Sequence, residues 1–592
     1  MSTGTLQLIK ATANPHGAAD SQLYLFVGNP TIAPIHEIIP DKDVVLPSPC
    51  SKLSSRSCRL KILHINDLHG HIVRFTPHGE QPVLSRIVSR LREVRQQHEN
   101  DPNTAVLAMS AGDDLVGAIF DELMGDDPDS FALHAGYRLY SAAGMDVSVL
   151  GNHDFDLGTD VLAEAIRKDA KFPMLSANLV SCKLLEGLYY PAALLVTNGI
   201  RVGIIGLTTS GQVRQPDHSN LQIINPVRVV HHMLPAIRPL CDVLIILSHL
   251  GYSLASGSAS VHDAGDVELA RSLPPGSVHL IVGGHTHHVL NEQGLTVNNV
   301  VNGIPIVQAG TLGRLLGEVD VTVQGAGTAV TNVRLTQTAY QPVDRQFEKE
   351  NVQPLLEIAR PLFNRSLGKI GSHPDLSTDA VRNSFAAGES ALANFIADAL
   401  VARCRVNGYD VDLALVDTSI VRRGLMVGSD LSFGDWFNLM PFADVLRMTW
   451  LSGIQLFNLV QDNAFRIDLP GDPHTERGFL HFSRHLRYTI QTSPQRSEIQ
   501  AADIVVNGTP LDQQLGHSFA IVCTSFVRKL SAGWEEYGRH LLNLPLMDIS
   551  QTSHMDTPLF LRDELVAYIT EHGGVTEAGG AKRDGRLQIN GK

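Results

Sequence analysis

Residues 151–158 (GNHDFDLG) place several polar side chains directly behind an apolar run, residues 147–150, that is typical of a buried strand. Asn152 can offer a neutral oxygen to a metal ion, and His153 can transfer a proton or face a phosphoryl group. Asp156 can hold the His153 imidazole in one orientation. The same stretch also fits a loop with an Asn-initiated turn and a helix cap. Other chemically capable residues in the chain are needed to decide between the two interpretations.

Similar polar residues follow four further apolar runs of the chain. The complete set combines imidazole, carboxylate and amide oxygen without a thiolate: Asp67, His69, Asp113, Asn152, His249, His285 and His287. These donors suit Zn, Mn, Fe or Co better than Ca or a closed structural zinc site. Seven ligands are too many for one such ion, but they can serve two ions about 3.5 to 4 Å apart if one carboxylate bridges them. The set therefore predicts a site for two divalent metal ions in a hydrolase.

Each of these residues also has a simpler explanation when it is considered alone. A single His249 behind a buried strand is more often a structural histidine, and Asp67 could cap a turn. His285 and His287 fit a metal site and a structural pair equally well. The order and the context of all seven residues favour the metal site.

The elements that must position these residues alternate in type from Arg59 onward. Short runs rich in Val, Ile and Leu end in polar residues, and helical stretches separate them. The predicted strands are residues 60–65, 105–109, 147–150, 243–247 and 278–282, and the predicted helices include residues 83–98 and 159–168. This pattern predicts an α/β fold, in which ligand sites lie where the strands end.

The chain is long enough for two large domains and an appendage, since it has 592 residues and domains usually span about 100 to 250. Residues 1–58 form an N-terminal extension with one or two strands and a linker, and residues 59–340 form the first domain. A charged, Pro-punctuated segment follows, and we interpret residues 341–364 as a linker helix. Residues 365–592 form a second α/β domain with predicted helices at 390–404 and 452–465 and strands at 413–416, 487–492 and 517–523.

The composition argues against two kinds of partner, nucleic acid polymers and membranes. The formal net charge of −14 and the pI near 6.0 disfavour binding of a nucleic acid polymer, which needs clustered basic residues. No run approaches the roughly 18 apolar residues of a membrane span, so we expect no membrane insertion. The N-terminus lacks the features of a secretory signal, and the six cysteines include no Cys-x-x-Cys pair. We therefore expect a cytoplasmic protein with reduced thiols.

The motifs NDLHG (66–70), GD (112–113), GNHDFD (151–156), SANL (176–179), GLTT (206–209), SH (248–249) and GHTH (284–287) resemble those of the calcineurin-like metallophosphatases. The chain most resembles the bacterial 5'-nucleotidase family of that superfamily, over roughly residues 59 to 340. The resemblance implies a four-layer metallophosphatase β-sandwich flanked by helices. It also implies one ion held by Asp67, His69, Asp113 and His287, a second held by Asp113, Asn152, His249 and His285, and a catalytic pair of His153 and Asp156. Members of this family are often periplasmic or extracellular.

Physical reasoning on the residues leads to the same reaction. A water molecule on two bound metal ions, with its pKa lowered towards about 7, would supply hydroxide for in-line attack on phosphorus. His153, protonated and oriented by Asp156, stabilises the phosphoryl oxygens or the departing alkoxide. No covalent intermediate is required.

The second half is similar to the C-terminal substrate domain of the 5'-nucleotidases at ESALAN (389–394), SFGD (432–435), MPFA (440–443) and DGR (584–586). It departs from the family at two segments, residues 417–424 and 531–537, where the family grips its substrate. The candidate substrate-binding residues are Asn394, Arg422, Arg423, Phe442, Trp534 and Tyr537. Phe442 with Trp534 or Tyr537 could stack on a base, and Arg423 could bind an anion. Each of these aromatic residues also fits a core position, and the arginines also fit an exposed charged pair.

The leading hypothesis is a two-metal phosphoesterase that acts on nucleoside 5'-monophosphates or similar small phosphate esters. A second hypothesis keeps the metals but changes the substrate to a 2',3'-cyclic nucleotide or a sulfur-containing ester. A third is a non-catalytic sensor of a small ligand. The nine metal-binding and catalytic candidates argue against the sensor, because a non-catalytic protein has no physical need for all of them.

Overall fold

The computed structural model describes residues 4–11, 21–48, 57–76, 79–125, 127–180, 183–209, 221–253, 264–325, 327–440, 445–469, 478–495, 498–524 and 552–591. The chain divides into two compact units, Met1–Ala359 and Arg360–Lys592. The division lies within the segment 341–364 that the sequence predicts to be a linker helix. That segment is helical from Arg345 to Phe363, although a short π-helical stretch, Glu348–Val352, interrupts it.

The described residues of the first unit form twenty strands. In chain order they are β1 (Thr5–Lys10), β2 (Gln22–Val27), β3 (Glu37–Pro40), β4 (Ser57–Ile65), β5 (Val73–Thr76), β6 (Gly79–Pro82), β7 (Thr104–Ser110), β8 (Val147–Val149), β9 (Met174–Leu175), β10 (Leu179–Val180), β11 (Tyr189–Tyr190), β12 (Ala192–Thr197), β13 (Ile200–Thr208), β14 (Gln222–Ile223), β15 (Val243–His249), β16 (Leu280–Gly283), β17 (Val300–Val301), β18 (Ile304–Val307), β19 (Leu315–Gln324) and β20 (Gly327–Gln337). The helices are α1 (Leu84–His98), α2 (Ala135–Ala143), α3 (Thr159–Asp169), α4 (Pro226–Ile237), α5 (Asp266–Ser272), α6 (Arg345–Phe347) and α7 (Gln353–Phe363).

Two large sheets form the centre of this unit. Over the described residues, the first has nine strands in the order β17-β18-β16-β15-β13-β12-β2-β1-β3, and the second has seven in the order β11-β9-β8-β7-β4-β19-β20. The middle of each sheet is parallel: β13, β15, β16 and β18 in the first, and β4, β7, β8 and β9 in the second.

The burial of alternate residues explains why the two sheets stack. On β15, Val243, Ile245 and Leu247 join a core shared by both sheets, whereas Leu244 and Ile246 belong to a second core that includes residues of α4 and α5. A strand buried on both faces is a near-continuous apolar run, as β15 is. Helix α1 buries its own apolar face, including Ile87 and Leu91. The predicted α/β fold class with layered sheets and flanking helices is therefore confirmed.

The N-terminal segment differs from its prediction in extent. The sequence predicts one or two strands before residue 58, and the described residues of that segment form three, β1 to β3, before β4 begins at Ser57. They extend the nine-stranded sheet, because β2 pairs antiparallel with β12 and β1 pairs with both β2 and β3. Alternating apolar residues reveal a strand, but they do not reveal a pairing partner that lies about 170 residues further along the chain.

The second unit is built on three smaller sheets. Its strands are β21 (Ser366–Ile370), β22 (Leu413–Asp417), β23 (Asp430–Ser432), β24 (Val445–Ser452), β25 (Leu480–Phe482), β26 (Leu486–Thr492), β27 (Gln500–Val506), β28 (Thr509–Pro510), β29 (Ser518–Thr524), β30 (His554–Phe560), β31 (Gly574–Val575) and β32 (Leu587–Gly591). Its helices are α8 (Thr378–Ser384), α9 (Ala391–Val406), α10 (Phe433–Leu439), α11 (Gly453–Phe465) and α12 (Leu561–Glu571). The sheet orders over the described residues are β23-β21-β31, β25-β22-β29-β24-β30 and β28-β27-β26-β32. Within the described ranges, no helix has the length and apolar character needed to span a bilayer.

A buried carboxylate ties helix α1 to the seven-stranded sheet. Glu318 on β19 accepts hydrogen bonds from Arg90 Nε at 2.9 Å, Arg334 Nε at 3.1 Å and Thr336 Oγ1 at 2.7 Å. Burial alone would raise the pKa of Glu318, but its bonds to Arg90 and Arg334 outweigh burial and bring the pKa down to about 2. Because this pKa is depressed on folding, the stabilisation is present above the ordinary value of 4.5 and disappears as the pH falls towards 2.

The substitution Glu318→Gln is therefore expected to lower the free energy of unfolding of the first unit by about 2 to 3 kcal/mol at pH 7, since it removes charge-assisted bonds. The difference between wild type and variant should shrink as the pH falls from 5 to about 2. Urea unfolding followed by circular dichroism measures both effects. Glu93→Gln is the matched control, because Glu93 pairs with the same Arg90 but its side chain is 49% exposed. Equal destabilisation by the two substitutions would contradict the expected role of Glu318.

Candidate metal centre

The carboxyl ends of five parallel strands meet at one edge of the first unit. Residue 65 of β4 is in register with residue 110 of β7, and residue 110 is in register with residue 148 of β8. In the other sheet, residues 246–248 of β15 pair with residues 281–283 of β16. His249 is the last residue of β15, and the segments that follow the other four strands carry the remaining six predicted metal ligands. The fold therefore brings together residues that are up to 220 positions apart.

The first group of donors consists of Asp67, His69 and His287. Asp67 Oδ1 lies 3.3 Å from His287 Nε2 and 3.9 Å from His69 Nε2. The two imidazole Nε2 atoms are 3.2 Å apart. Asp67 is completely buried, whereas the His287 side chain is 45% exposed. The group is therefore open to solvent on the His287 side.

The second group consists of Asp113, His249 and His285, with Asn152 beside them. Asp113 Oδ2 is 3.0 Å from His249 Nε2. Asn152 Oδ1 lies 2.9 Å from His285 Nδ1 and 3.2 Å from His249 Nε2. The Asn152 Nδ2 atom is buried and has no hydrogen-bond partner among the described residues. The amide thus directs its oxygen towards the histidines, although this leaves its nitrogen unsatisfied.

The two groups are neighbours. Asp67 Oδ1 of the first group lies 4.0 Å from His249 Nε2 of the second. Asp67 also accepts the backbone N–H of His285, at 3.0 Å from Oδ2. Asp67 therefore faces donors of both groups, an arrangement suited to two adjacent cations.

The protonation of these residues fits divalent cations. Burial lowers the pKa of His69 and of His285 to about 3, so both imidazoles are neutral and keep a lone pair. Burial also opposes a charge on His249, but Asp113 and Asp67 outweigh it and raise the pKa of His249 to about 10. A cation that binds here would displace that proton. The Nε2 atoms of His69 and His287 are 3.2 Å apart, close enough for both to bind one cation.

The backbone around the site is unusual. Five of the seven predicted ligands have positive φ angles: Asp67 (50°), His69 (47°), Asp113 (54°), His285 (77°) and His287 (58°). Residues other than glycine rarely adopt this region, and each instance costs about 1 to 3 kcal/mol. Such strain clusters at functional sites, where it directs side chains to one point.

His153 and Asp156 lie beside the first group. His153 Nδ1 is 2.6 Å from Asp156 Oδ2, within and just after the 3₁₀ turn His153–Phe155. The ring centroids of His153 and His69 are 5.2 Å apart. The His153 side chain is 27% exposed. Asp156 therefore fixes the orientation of the His153 ring through Nδ1.

One loop of the site was not predicted from the sequence. Residues 309–312 form hydrogen bonds with the backbone of Asp67. Thr311 Oγ1 donates to the Asp67 carbonyl oxygen at 2.9 Å, and the Leu312 N–H donates to the same oxygen at 2.8 Å. Asn66 also joins this loop, since its Oδ1 accepts the Ala309 N–H at 2.9 Å. The loop follows β18, so the same criterion of polar residues after an apolar run could have identified it.

The predicted substrate-binding residues have varied positions in the second unit. Asn394 is buried, and its amide donates to Glu389 Oε1 and to the Lys582 carbonyl, both at 2.8 Å. This placement favours a structural role for Asn394. Arg422 is exposed, and Arg423 is half-buried with its Nε lacking a hydrogen-bond partner among the described residues. Burial lowers the pKa of Arg423, and nearby Asp435 opposes that effect. Phe442, Trp534 and Tyr537 lie outside the described residues.

Comparison with known proteins identifies both halves of the chain. Residues 60–289 match the family model "calcineurin-like phosphoesterase", and residues 369–537 match "5'-nucleotidase, C-terminal domain". Protein UshA of Salmonella pullorum is 32% identical over 302 residues, which are 47% of this chain and 52% of that protein. A 5'-nucleotidase of Vibrio cholerae is 26% identical over 440 residues, 68% of this chain and 75% of the relative. The solved 5'-nucleotidase precursor of Thermus thermophilus has the same fold, with a TM-score of 0.58, 23% identity and coverage of 90% of this chain and 99% of that one.

Proposed function

Because this chain belongs to the two-domain 5'-nucleotidase family of the calcineurin-like metallophosphatases, we propose that it hydrolyses nucleoside 5'-monophosphates or similarly small phosphate esters. The family consists of metal-dependent phosphoesterases. The observation that carries the proposal is the convergence of the seven predicted donors at one edge of the first unit, next to the pair of His153 and Asp156.

Two divalent ions are the cofactors we propose. Asp67, His69 and His287 would hold one, and Asn152, His249 and His285 the other, with Asp113 between them. The donor set of imidazole, carboxylate and amide oxygen favours Zn, Mn, Fe or Co. When bound, these ions act as Lewis acids towards phosphoryl oxygens and promote the ionisation of water.

The protein's own contribution to the reaction is the orientation and protonation of His153. Asp156 accepts the Nδ1 proton at 2.6 Å and so keeps the imidazole in one orientation. A protonated His153 then presents its Nε2–H to a phosphoryl oxygen or to the departing alkoxide. General-acid and electrostatic help of this kind contributes about 10² to 10⁴ in rate. Arg422 and Arg423 are the described residues of the second unit that we propose for contact with an anionic substrate.

Removal of the metal ions is expected to abolish the activity. After dialysis against a chelator, hydrolysis of AMP should fall to background, and added Mn²⁺ or Zn²⁺ should restore it, because metal ions supply the Lewis acid of the reaction. A phosphate-release assay measures both states. Hydrolysis that survives exhaustive chelation, verified by metal analysis, would exclude the proposed mechanism.

A substrate panel tests the proposed substrate class. We expect the highest kcat/KM for AMP among AMP, a 2',3'-cyclic nucleotide, a sugar phosphate, p-nitrophenyl phosphate and a sulfur-containing ester. A higher kcat/KM for the cyclic nucleotide or the sulfur ester would contradict the proposed substrate class, but it would be consistent with the proposed two-metal mechanism. Absence of turnover with every compound by protein that contains two ions would favour a ligand sensor.

A further inference from the structure

Asp154 lies between the two functional candidates of its turn and has no role in the proposed reaction. Its carboxyl group accepts two hydrogen bonds, one on each oxygen. Oδ2 accepts the backbone N–H of Gly151 at 2.7 Å, and Oδ1 accepts the hydroxyl of Tyr137 at 2.9 Å. The first bond closes the turn that contains Asn152 and His153. The second bond ties this turn to helix α2.

Tyr137 is a rigid anchor for this connection. Its side chain is completely buried. Its ring stacks on His134 with centroids 3.6 Å apart and meets Phe172 edge-on at 6.1 Å. A buried aromatic ring held on two sides keeps its hydroxyl at a fixed point. Asp154 therefore fixes the turn relative to helix α2.

Gly151 connects the turn to the candidate metal centre, because its backbone contacts Asp113. A side chain at Gly151 would bring its Cβ within 2.1 Å of Asp113 Oδ1, so the Gly151 backbone lies directly against that carboxylate. The same oxygen accepts the backbone N–H of His153 at 2.9 Å. Gly151 and His153 thus enclose Asp113 from two sides, and the bond from Gly151 to Asp154 holds one of them.

We propose that Asp154, anchored by Tyr137, is a positioning residue that holds Asn152, His153 and Asp113 in the geometry needed for the second metal ion and for proton donation. This inference rests on the proposed function, from which the roles of these three residues are taken. Partners of this kind that orient metal ligands without touching the metal typically contribute 10- to 100-fold to metal affinity or activity.

Three substitutions and one control test the proposal. Asp154→Ala removes both bonds, Tyr137→Phe removes only the hydroxyl, and Asp154→Asn keeps a carbonyl for the Gly151 N–H and an amide for the Tyr137 oxygen. Asp160→Ala removes an exposed carboxylate at the start of helix α3 and is the matched control. The readouts are Mn²⁺ titration by calorimetry, kcat on AMP and the melting temperature of the metal-free protein.

We expect Asp154→Ala to weaken binding of the second Mn²⁺ and to lower kcat, each about 10- to 100-fold. The first Mn²⁺ should be weakened less, because Asp113 is the only one of its proposed ligands that this turn holds. Tyr137→Phe should show a smaller loss of the same kind, and Asp154→Asn and Asp160→Ala should stay close to the wild type. The Tyr137→Phe result tests the proposal even if Asp154→Ala fails to fold.

Two outcomes would overturn the proposal. One is wild-type Mn²⁺ affinity and kcat in folded Asp154→Ala, with only the melting temperature reduced, as a purely structural residue would give. The other is an equal loss in Asp154→Asn and Asp154→Ala, because the conservative variant should rescue a positioning role. The Mn²⁺ titration does not depend on turnover, so a wild-type protein inactive on AMP would refute the proposed function and leave this test intact.

Discussion

Replacement of His153 by alanine is expected to lower kcat on AMP by about 10² to 10⁴ while both metal ions stay bound. His153 lies beside the metal groups rather than within either of them, and its Nδ1 is fixed by Asp156 at 2.6 Å. Its loss therefore removes proton donation and charge stabilisation from the transition state but removes no metal donor. Steady-state kinetics with metal analysis of the purified variant measures both consequences.

A comparison of two substrates tests whether His153 protonates the departing oxygen. If His153 protonates the departing oxygen, the loss should be smaller for p-nitrophenyl phosphate than for AMP, because p-nitrophenolate leaves readily without a proton. Asp156→Asn should produce a smaller loss than His153→Ala, since the imidazole remains but is less well oriented. His98→Ala, at the end of helix α1, controls for removal of a histidine elsewhere. A His153→Ala enzyme with unchanged kcat on AMP would exclude this residue from the chemistry.

Replacement of Asp113 by alanine is the second substitution with a large expected effect. Asp113 Oδ2 contacts His249 at 3.0 Å, and Oδ1 accepts the His153 N–H at 2.9 Å. Burial alone would raise the pKa of Asp113, but the charge on His249 outweighs it and holds that pKa well below its usual value. Asp113 is therefore a buried carboxylate at the position that we propose for the ligand shared by both ions.

We expect Asp113→Ala to lose at least one of the two ions and to lower kcat/KM more than 100-fold. The bound follows because residues that only orient a metal ligand already contribute 10- to 100-fold, and a bridging ligand should contribute more. Asp113→Asn keeps the shape and one acceptor oxygen but removes the negative charge, so it separates geometry from charge. Metal content by mass spectrometry after gel filtration is the direct measurement. An Asp113→Asn protein that keeps two ions and nearly full activity would contradict a bridging role.

The strand-end residues were predictable because parallel strands impose a simple rule. The carboxyl ends of neighbouring parallel strands meet at one edge of a sheet, so polar residues after apolar runs come together wherever they lie in the sequence. His249 ends β15 and His285 follows β16, and the apolar residues of both strands face both cores. The backbone geometry of the site is harder to predict from the sequence. Nothing in residue type predicts that Asp67 and His287 adopt positive φ angles.

The second unit was less predictable, because a motif match does not specify which way a side chain faces. Asn394 matches the family pattern, yet its amide is enclosed by Glu389 and the Lys582 carbonyl. Those two partners lie 5 and 188 residues away, and only the folded chain reveals the second one. The roles of Arg422 and Arg423 stay predictions.

The order of the strands also constrains how this protein can be made. Strand β4 carries the first ligand segment at its end, but one of its sheet neighbours, β19, is synthesised about 250 residues later. At roughly 5 to 20 residues per second, a ribosome needs about 12 to 50 seconds to cover that distance. During this interval one edge of β4 has no partner strand, and such edges promote pairing with other chains. The unpaired edge of β4 therefore makes this interval a period when the nascent chain needs protection from aggregation.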